Sequence, residues 1–315
     1  MRLFYFHEIT QLTMSTLHIS FIIPAFNAAM TITESVDSIF DGNFAPGDEV
    51  IIVNDCSTDA TSDVLNNLKE QYEGKLTILH NEINKGCPAS RNVGIRTAKN
   101  ELIFNLDSDN ILTQGSVQKL KTALVENKAD LVTFSDYRYF VDDVSRITHY
   151  WYCNPGWFTT ADLFAGHVNP GPGGNFLYTK ASWQRVGEYW EYGKGLHEAW
   201  GFTLKQLMSG SKLFVVPETH YYHRHGHESL FVSESKNKPG EIYLLQKMLA
   251  PFERAFPKEE WGYMQSNPNW YSKLDERPIT LTSSIKGKNG RLKVTWYGNY
   301  KSIVRRLQSV VKFNK

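Results

Sequence analysis

Asp107-Ser108-Asp109 closes an apolar run from Glu101 to Leu106. Side chains alternate along extended chain, so the two carboxylates point to one side. Two hard oxygen ligands at a strand end suit Mg2+ or Mn2+ held together with a diphosphate. An isolated Asp-x-Asp is also an ordinary solvated turn, so its surroundings decide what it means. Three polar clusters precede it: Ile23-Pro24-Ala25-Phe26-Asn27, Val53-Asn54-Asp55-Cys56-Ser57-Thr58-Asp59, and the stretch from Asn84 to Gly94 that contains Arg91 and Asn92. Downstream, Gly173-Gly174-Asn175 offers glycines that let backbone approach a ligand and an amide that can bond sugar hydroxyls; a tight turn explains the same composition. His223, His225 and His227 alternate, which would put three imidazoles on one face of an extended segment. No cysteine lies near them, so zinc ranks below a looser role, and a surface loop that tolerates histidine remains open.

These clusters need elements to carry them. Apolar runs at 18–24, 49–53, 76–79, 101–106 and 130–134 read as strands. Between them, 32–40, 59–72, 88–99 and 115–126 show helical spacing, for example Val117, Leu120 and Leu124. Strand and helix in alternation predict an α/β fold with a mostly parallel sheet and helices on both faces. Ligands of such sheets bind beyond the carboxyl ends of the strands, where the polar clusters fall. From 136 to 175 the chain reads as irregular, aromatic and rich in Gly and Pro. Helix returns at 197–209, a strand at 213–216 and helix at 239–256.

The four clusters, in this order and spacing, resemble the nucleotide-binding half of family 2 glycosyltransferases with the GT-A fold. The resemblance covers roughly residues 18–230, the GT-A domain being placed at 18–232 with a nucleotide-binding half (18–110) and an acceptor half (111–232). It implies an inverting, metal-dependent transfer of a sugar from a nucleotide-sugar donor to a hydroxyl of a glycan or lipid-linked saccharide. Pro24, Ala25 and Asn27 would line the nucleotide. Asp55 would accept from the uracil imide N–H, which favours UDP; a helix-capping role competes for it. Arg91 would pair with the base or a phosphate, against the alternative of a surface ion pair. Asp107 would face ribose and metal, with Asp109 as main ligand of Mn2+ or Mg2+ and His225 as a further one. Gly173, Gly174, Asn175 and Trp200 would contact sugar or acceptor, although a tryptophan is more often core.

Asn54, Cys56 and Asn110 depart from the family, which usually shows Asp, Gly and Asp there. Ala199 stands where the family's catalytic Asp is usual, leaving Glu198 as the carboxylate able to act as base. A Glu near a helix start is also a plain dipole partner. The rival reading is a nucleotide-sugar-binding relative with impaired catalysis.

Composition sets the outer bounds. The chain has 315 residues and a net charge of +1, against a protein built mainly to coat nucleic acid. Three separated cysteines argue for a reducing compartment, hence a cytoplasmic location. Residues 1–17 carry His7 and Glu8, lack a clean hydrophobic signal core and read as a loose leader, with Met14 as a candidate start. Residues 233–315 read as a helical extension. From Arg277 to Lys315 there are ten Lys or Arg and no acid, so the remainder carries −9. Residues 299–315 show an apolar stripe (Tyr300, Ile303, Val304, Leu307, Val310, Val311) beside a basic face. Such a helix fits the anionic inner face of a membrane, or docks on its own domain or a second subunit as a homodimer contact.

Overall fold

The computed structural model of the chain describes residues 17–159, 162–163, 174–192, 194–195, 197–226, 238–255, 258, 261–262, 279–287 and 290–298. The expected leader (1–16 of it), Gly173, His227 and the basic segment 299–315 lie outside the described residues.

Strand β1 (Ile19–Ala25) is buried at every position, as expected for a strand with helices on both faces. It is flanked by β2 (Glu49–Asn54) and β4 (Leu102–Asn105), and β3 (Leu76–His80) adds beyond β2, all parallel. Crossovers between these strands are α1 (Ile32–Phe40), α2 (Thr61–Gln71) and α3 (Cys87–Thr97). Past β4 the sheet continues through β9 (Leu177–Thr179), β6 (Leu131–Phe140) and β10 (Leu213–Arg224). β9 runs antiparallel to both β4 and β6, while β6 and β10 are parallel to each other. Short β5 (Ile111–Leu112) and β8 (Gly156–Phe158) pair with opposite stretches of β10, and β7 (Ile147–Tyr152) edges β6. Helices α4 (Ser116–Asn127), α5 (Lys180–Val186) and α6 (Glu198–Met208) follow β5, β9 and the α5–α6 connection. The expected α/β architecture with a mostly parallel sheet is borne out.

Helix α3 shows how sequence sets this packing. Gly86 opens it at φ +90, and a Cβ there would lie 2.7 Å from the Lys194 backbone. Pro88 sits in the first turn, where its missing N–H costs nothing. Gly94 lets the helix settle onto the sheet: a Cβ at that point would stand 2.7 Å from Ile22 Cγ2 and 3.3 Å from Val53 Cγ2.

The structure differs from the sequence reading in three places. Residues 136–158, expected to be irregular, hold the second half of β6 together with β7 and β8. Alternation exists in β7, but both faces carry aromatics: His149 and Trp151 are partly covered while Tyr150 and Tyr152 are exposed. A period-2 signal based on polarity is therefore hidden. β10 does not stop at Val216. It passes Pro217 and Glu218 (φ +55) through an irregularity in the β6 pairing and resumes at His220. The C-terminal extension, expected to be helical, has α7 (Lys238–Leu249) and a 3-10 turn (Ala250–Ala255), but then an antiparallel hairpin of β11 (Ile279–Gly287) and β12 (Gly290–Gly298).

Two outcomes test this packing. Gly94→Val should lower the unfolding free energy by ~1–3 kcal/mol through overpacking against β1 and β2, read by urea denaturation. His220, partly buried and close to Arg138 and Lys119, has its imidazole held down to about 4. The unfolded chain then takes up that proton first, so stability is full above pH ~6.5 and falls toward pH 4. His220→Gln should flatten that acid limb in a series of thermal melts.

Candidate active site

The turns after β1, β2 and β4 are fastened to one another. The Asp55 N–H donates to the Ala25 carbonyl (2.8 Å), and the Leu106 N–H to that of Ile22 (3.0 Å). Asn27 occupies the left-handed region at φ +49. Its N–H donates to Ser57 Oγ (3.0 Å), and its Oδ1 accepts from the Thr58 N–H (2.8 Å). Thr31 Oγ1 donates to the Ser108 carbonyl (2.9 Å), tying the first turn to the Asp-x-Asp turn. Asp59 accepts from the N–H of Thr61 at the start of α2 and from that of Ala29 across the gap. Pro24 and Ala25 are buried beneath this surface, and Asn27 is exposed on it.

Asp55 is 3% exposed and does not cap α2. Its Oδ1 accepts from Asn81 Nδ2 (2.7 Å) and the Lys85 N–H (3.0 Å), its Oδ2 from the Gly86 N–H (2.8 Å). A carboxylate has about four acceptor sites, so three are taken and one on Oδ2 remains. Asn81 follows β3 directly. Its position at a strand's carboxyl end was the available signal for a contact the sequence reading missed.

Arg91 is neither a surface ion pair nor open to a phosphate: it is 0% exposed. Its Nη2 meets Asp107 Oδ1 at 2.6 Å, and its Nη1 pairs with Glu198 Oε2. Burial opposes the guanidinium charge, but the carboxylates of Glu198 and Asp107 hold it charged. The Tyr189 ring lies beneath the guanidinium, 5.6 Å from it. Tyr189 in turn accepts from Asn105 Nδ2 (2.6 Å) and stacks on Phe202. Arg91 thus joins the first Asp of the Asp-x-Asp turn to the first residue of α6.

Asp107 is held from several sides. Its N–H donates to Asn175 Oδ1 (2.7 Å), and its Oδ2 accepts from Asn110 Nδ2 (3.1 Å). Gly174, at φ +74, leaves the space that this carboxylate occupies, since a Cβ there would lie 2.6 Å from Asp107 Oδ2. Asn175 is fully buried, so it supports Asp107 rather than facing a sugar. Two of the family departures now have a reason. Asn110 donates to Asp107 while its Oδ1 accepts from the Arg224 N–H (3.0 Å), a double role closed to an ionised Asp. Asn54 likewise donates to Ser62 Oγ and accepts from the Ser57 N–H.

Burial pushes the Asp107 carboxyl up to about 6; Arg91 opposes this, while the charges of Asp109 and Glu198 add to it. The imidazole near these carboxylates is His223, not His225. Burial lowers the His223 imidazole, and the charges of Asp109 and Asp107 pull it back up. His225 Nε2 bonds Thr148 Oγ1 (2.6 Å), toward the sheet edge. The segment alternates, and His223, two positions before His225, is the ring that the charges of Asp107 and Asp109 reach. Arg224 is committed as well: its Nε donates to the Asp109 carbonyl (3.1 Å), and its guanidinium pairs with Glu34. Trp200 is 7% exposed within the hydrophobic core rather than on an open sugar face. Among the described residues no group of three or more His, Cys, Asp or Glu converges as a ready metal cage.

Residues 20–187 match the family model described as Glycosyl transferase family 2. The poly(ribitol-phosphate) beta-glucosyltransferase of Bacillus spizizenii is 35% identical over 115 residues, 36% of this chain and 18% of that protein. Glycosyltransferase GlyG of Streptococcus pneumoniae is 27% identical over 52% of this chain and 53% of its own length. The chain therefore spans about half or less of these curated relatives. Among solved structures, Staphylococcus aureus TarS 1-349 in complex with UDP-GlcNAc aligns with a TM-score of 0.59 at 17% identity, over 88% of this chain and 99% of that one. A mannosyltransferase from Pyrobaculum calidifontis with GDP-Man and Mn2+ aligns at 0.57 and 15% identity, over 85% and 78%. At such identities these two likenesses speak for the fold.

The ion network makes a direct prediction. Arg91→Leu leaves two largely buried carboxylates unpaired and should cost ~3 kcal/mol of stability, measured by chemical denaturation. Cys56 holds φ +61 where the family usually shows Gly. Cys56→Val should therefore lose ~1–2 kcal/mol in the same assay, whereas Cys56→Gly should be neutral or stabilising.

Proposed function

The chain belongs to glycosyl transferase family 2, and from that membership we propose that it moves a sugar from a UDP-sugar to a hydroxyl of a glycan or lipid-linked saccharide, with a divalent ion and inversion at the anomeric carbon. The observation that carries this reading is the gathering of Asp55, Asp107 and Asp109 at fastened strand ends, with glycine making room beside the central carboxylate. The remaining acceptor site of Asp55 suits the imide N–H of uracil and rejects a base that presents an acceptor there.

The residues present fit Mn2+ or Mg2+. Asp107 and Asp109 supply hard oxygens and His223 an imidazole that Mn2+ accepts; burial raises the Asp107 carboxyl, and the nearby charges of Asp109 and Glu198, which add to it, are ones a cation would offset. In this reading Asp109, Asp107 and His223 would hold the ion beside the donor diphosphate. The ion, when bound, neutralises the departing diphosphate.

The chain's own groups do the rest. Asn175, Asn110 and Gly174 fix Asp107; Arg224 fixes the Asp109 backbone. The acceptor oxygen bonds to the anomeric carbon as the bond to the diphosphate breaks, and that electron pair leaves on UDP. The hydroxyl proton goes to Glu198, whose carboxylate is paired with Arg91. The same pairing, with Ala199 beside it, favours the second reading: a nucleotide-sugar-binding relative in which transfer is impaired.

Asp109→Ala should abolish Mn2+-stimulated binding of UDP-GlcNAc or UDP-Glc in calorimetric titration; undiminished stimulation would refute the metal role. Glu198→Gln should lower kcat at least 100-fold with donor affinity within twofold. Mn2+-dependent donor turnover by the parent protein would reject the impaired reading.

A further inference from the structure

The family match ends at residue 187, and Glu198 opens a helix beyond it. The local sequence does little to fix that helix start. His197 precedes it in the left-handed region at φ +56 and gives it no side-chain cap. A residue other than glycine stays in that region only where the surrounding structure holds it there. Groups outside the first turn of α6 must therefore set where Glu198 stands.

Two neighbours do so. On one side is α3. Its Cys87 N–H donates to the Lys194 carbonyl (2.9 Å), and its Arg91 pairs with Glu198. On the other side is α7, in the C-terminal extension. Gly201 lies one turn into α6, where glycine weakens a helix. Met248 of α7 uses the space this leaves: a Cβ on Gly201 would lie 2.9 Å from Met248 Sδ and 3.4 Å from the Trp190 ring. Met248 is 1% exposed. The same element grips the segment that leads into α6. Lys247 Nζ lies over the Tyr192 ring at 4.4 Å, Tyr192 stacks with Trp190 (5.8 Å, 18°), and Phe252 of the 3-10 turn meets Trp190 at 6.3 Å. Lys205 of α6 reaches back over Trp190 (4.8 Å) and donates to the Gly187 and Glu188 carbonyls.

We propose that α7 is a brace for the Glu198 carboxylate, with Met248 and Lys247 as positioning residues that act through the start of α6 and the segment before it. This rests on the transferase reading above, with Glu198 as proton acceptor. It goes beyond that reading by giving the C-terminal extension a part in turnover.

The test uses the full chain with Mn2+ and UDP-GlcNAc or UDP-Glc. Met248→Ala should lower kcat at least tenfold and Lys247→Ala, at an exposed position, at least threefold, with Kd for UDP within twofold of the parent. Met248→Leu should restore kcat to within threefold. In a Glu198→Gln background Met248→Ala should cause no further loss, because both changes act on one group. Leu120→Ala, a core truncation in α4, should leave kcat within twofold, which separates the brace from a general loss of stability. Independently of turnover, amide exchange of a peptide covering 194–201 should quicken at least tenfold in Met248→Ala, in a protein that matches the parent in circular dichroism. Unchanged exchange there, or a full further loss of kcat in the Glu198→Gln background, overturns the brace while the transferase reading stands. A parent that turns over neither donor refutes that reading instead, and the exchange measurement still decides whether α7 holds the start of α6.

Discussion

A guanidinium with no access to water sits between two carboxylates from distant parts of the chain. Taking Arg91 out of solvent is costly unless its charge is met, and Asp107 and Glu198 meet it. Asp107 belongs to the turn after β4, Glu198 to the start of α6, and Arg91 to α3, so three elements are fixed by one cation. The surrounding choices follow from this. Gly94 lets α3 sit low enough on the sheet to deliver the side chain, and Tyr189 provides an aromatic floor beneath it. The turn after β4 and the start of α6 thereby share a common electrostatic centre.

Much of this was legible in the residues. The parallel half of the sheet follows from apolar runs separated by amphipathic helices, and the Asp-x-Asp turn falls where such sheets bind ligands. Pairing was harder to read. Nothing in Arg91 itself distinguishes a solvated arginine from one that bridges two acids, because its partners lie 16 and 107 positions away. Asn175 read as a sugar contact because a loop amide near glycines suits that role; its burial under Asp107 depends on β9 entering the sheet. The aromatic strands were hidden for another reason, since β7 shows large rings on both faces and hydropathy alternation needs a polar face.

Family departures were informative once geometry was known. Asn110 and Asn54 replace acids with groups that donate and accept at once, and both substitutions stiffen the turns they occupy. Ala199 is different in kind: it removes a carboxylate, and the acid that remains beside it, Glu198, is already engaged with Arg91.

The position of β9 carries a consequence for how the molecule is made. Its three residues lie between β4 and β6, yet they are synthesised after both. A nascent chain therefore cannot close the sheet in the order in which it emerges from the ribosome. The first four strands can assemble early, while β6 must wait for a later segment to bridge it to them. Such late, long-range closure slows folding and leaves strand edges open meanwhile. For this polypeptide the vulnerable interval in biogenesis is the passage between residues 140 and 179, when half a sheet is built and its central splice has yet to arrive.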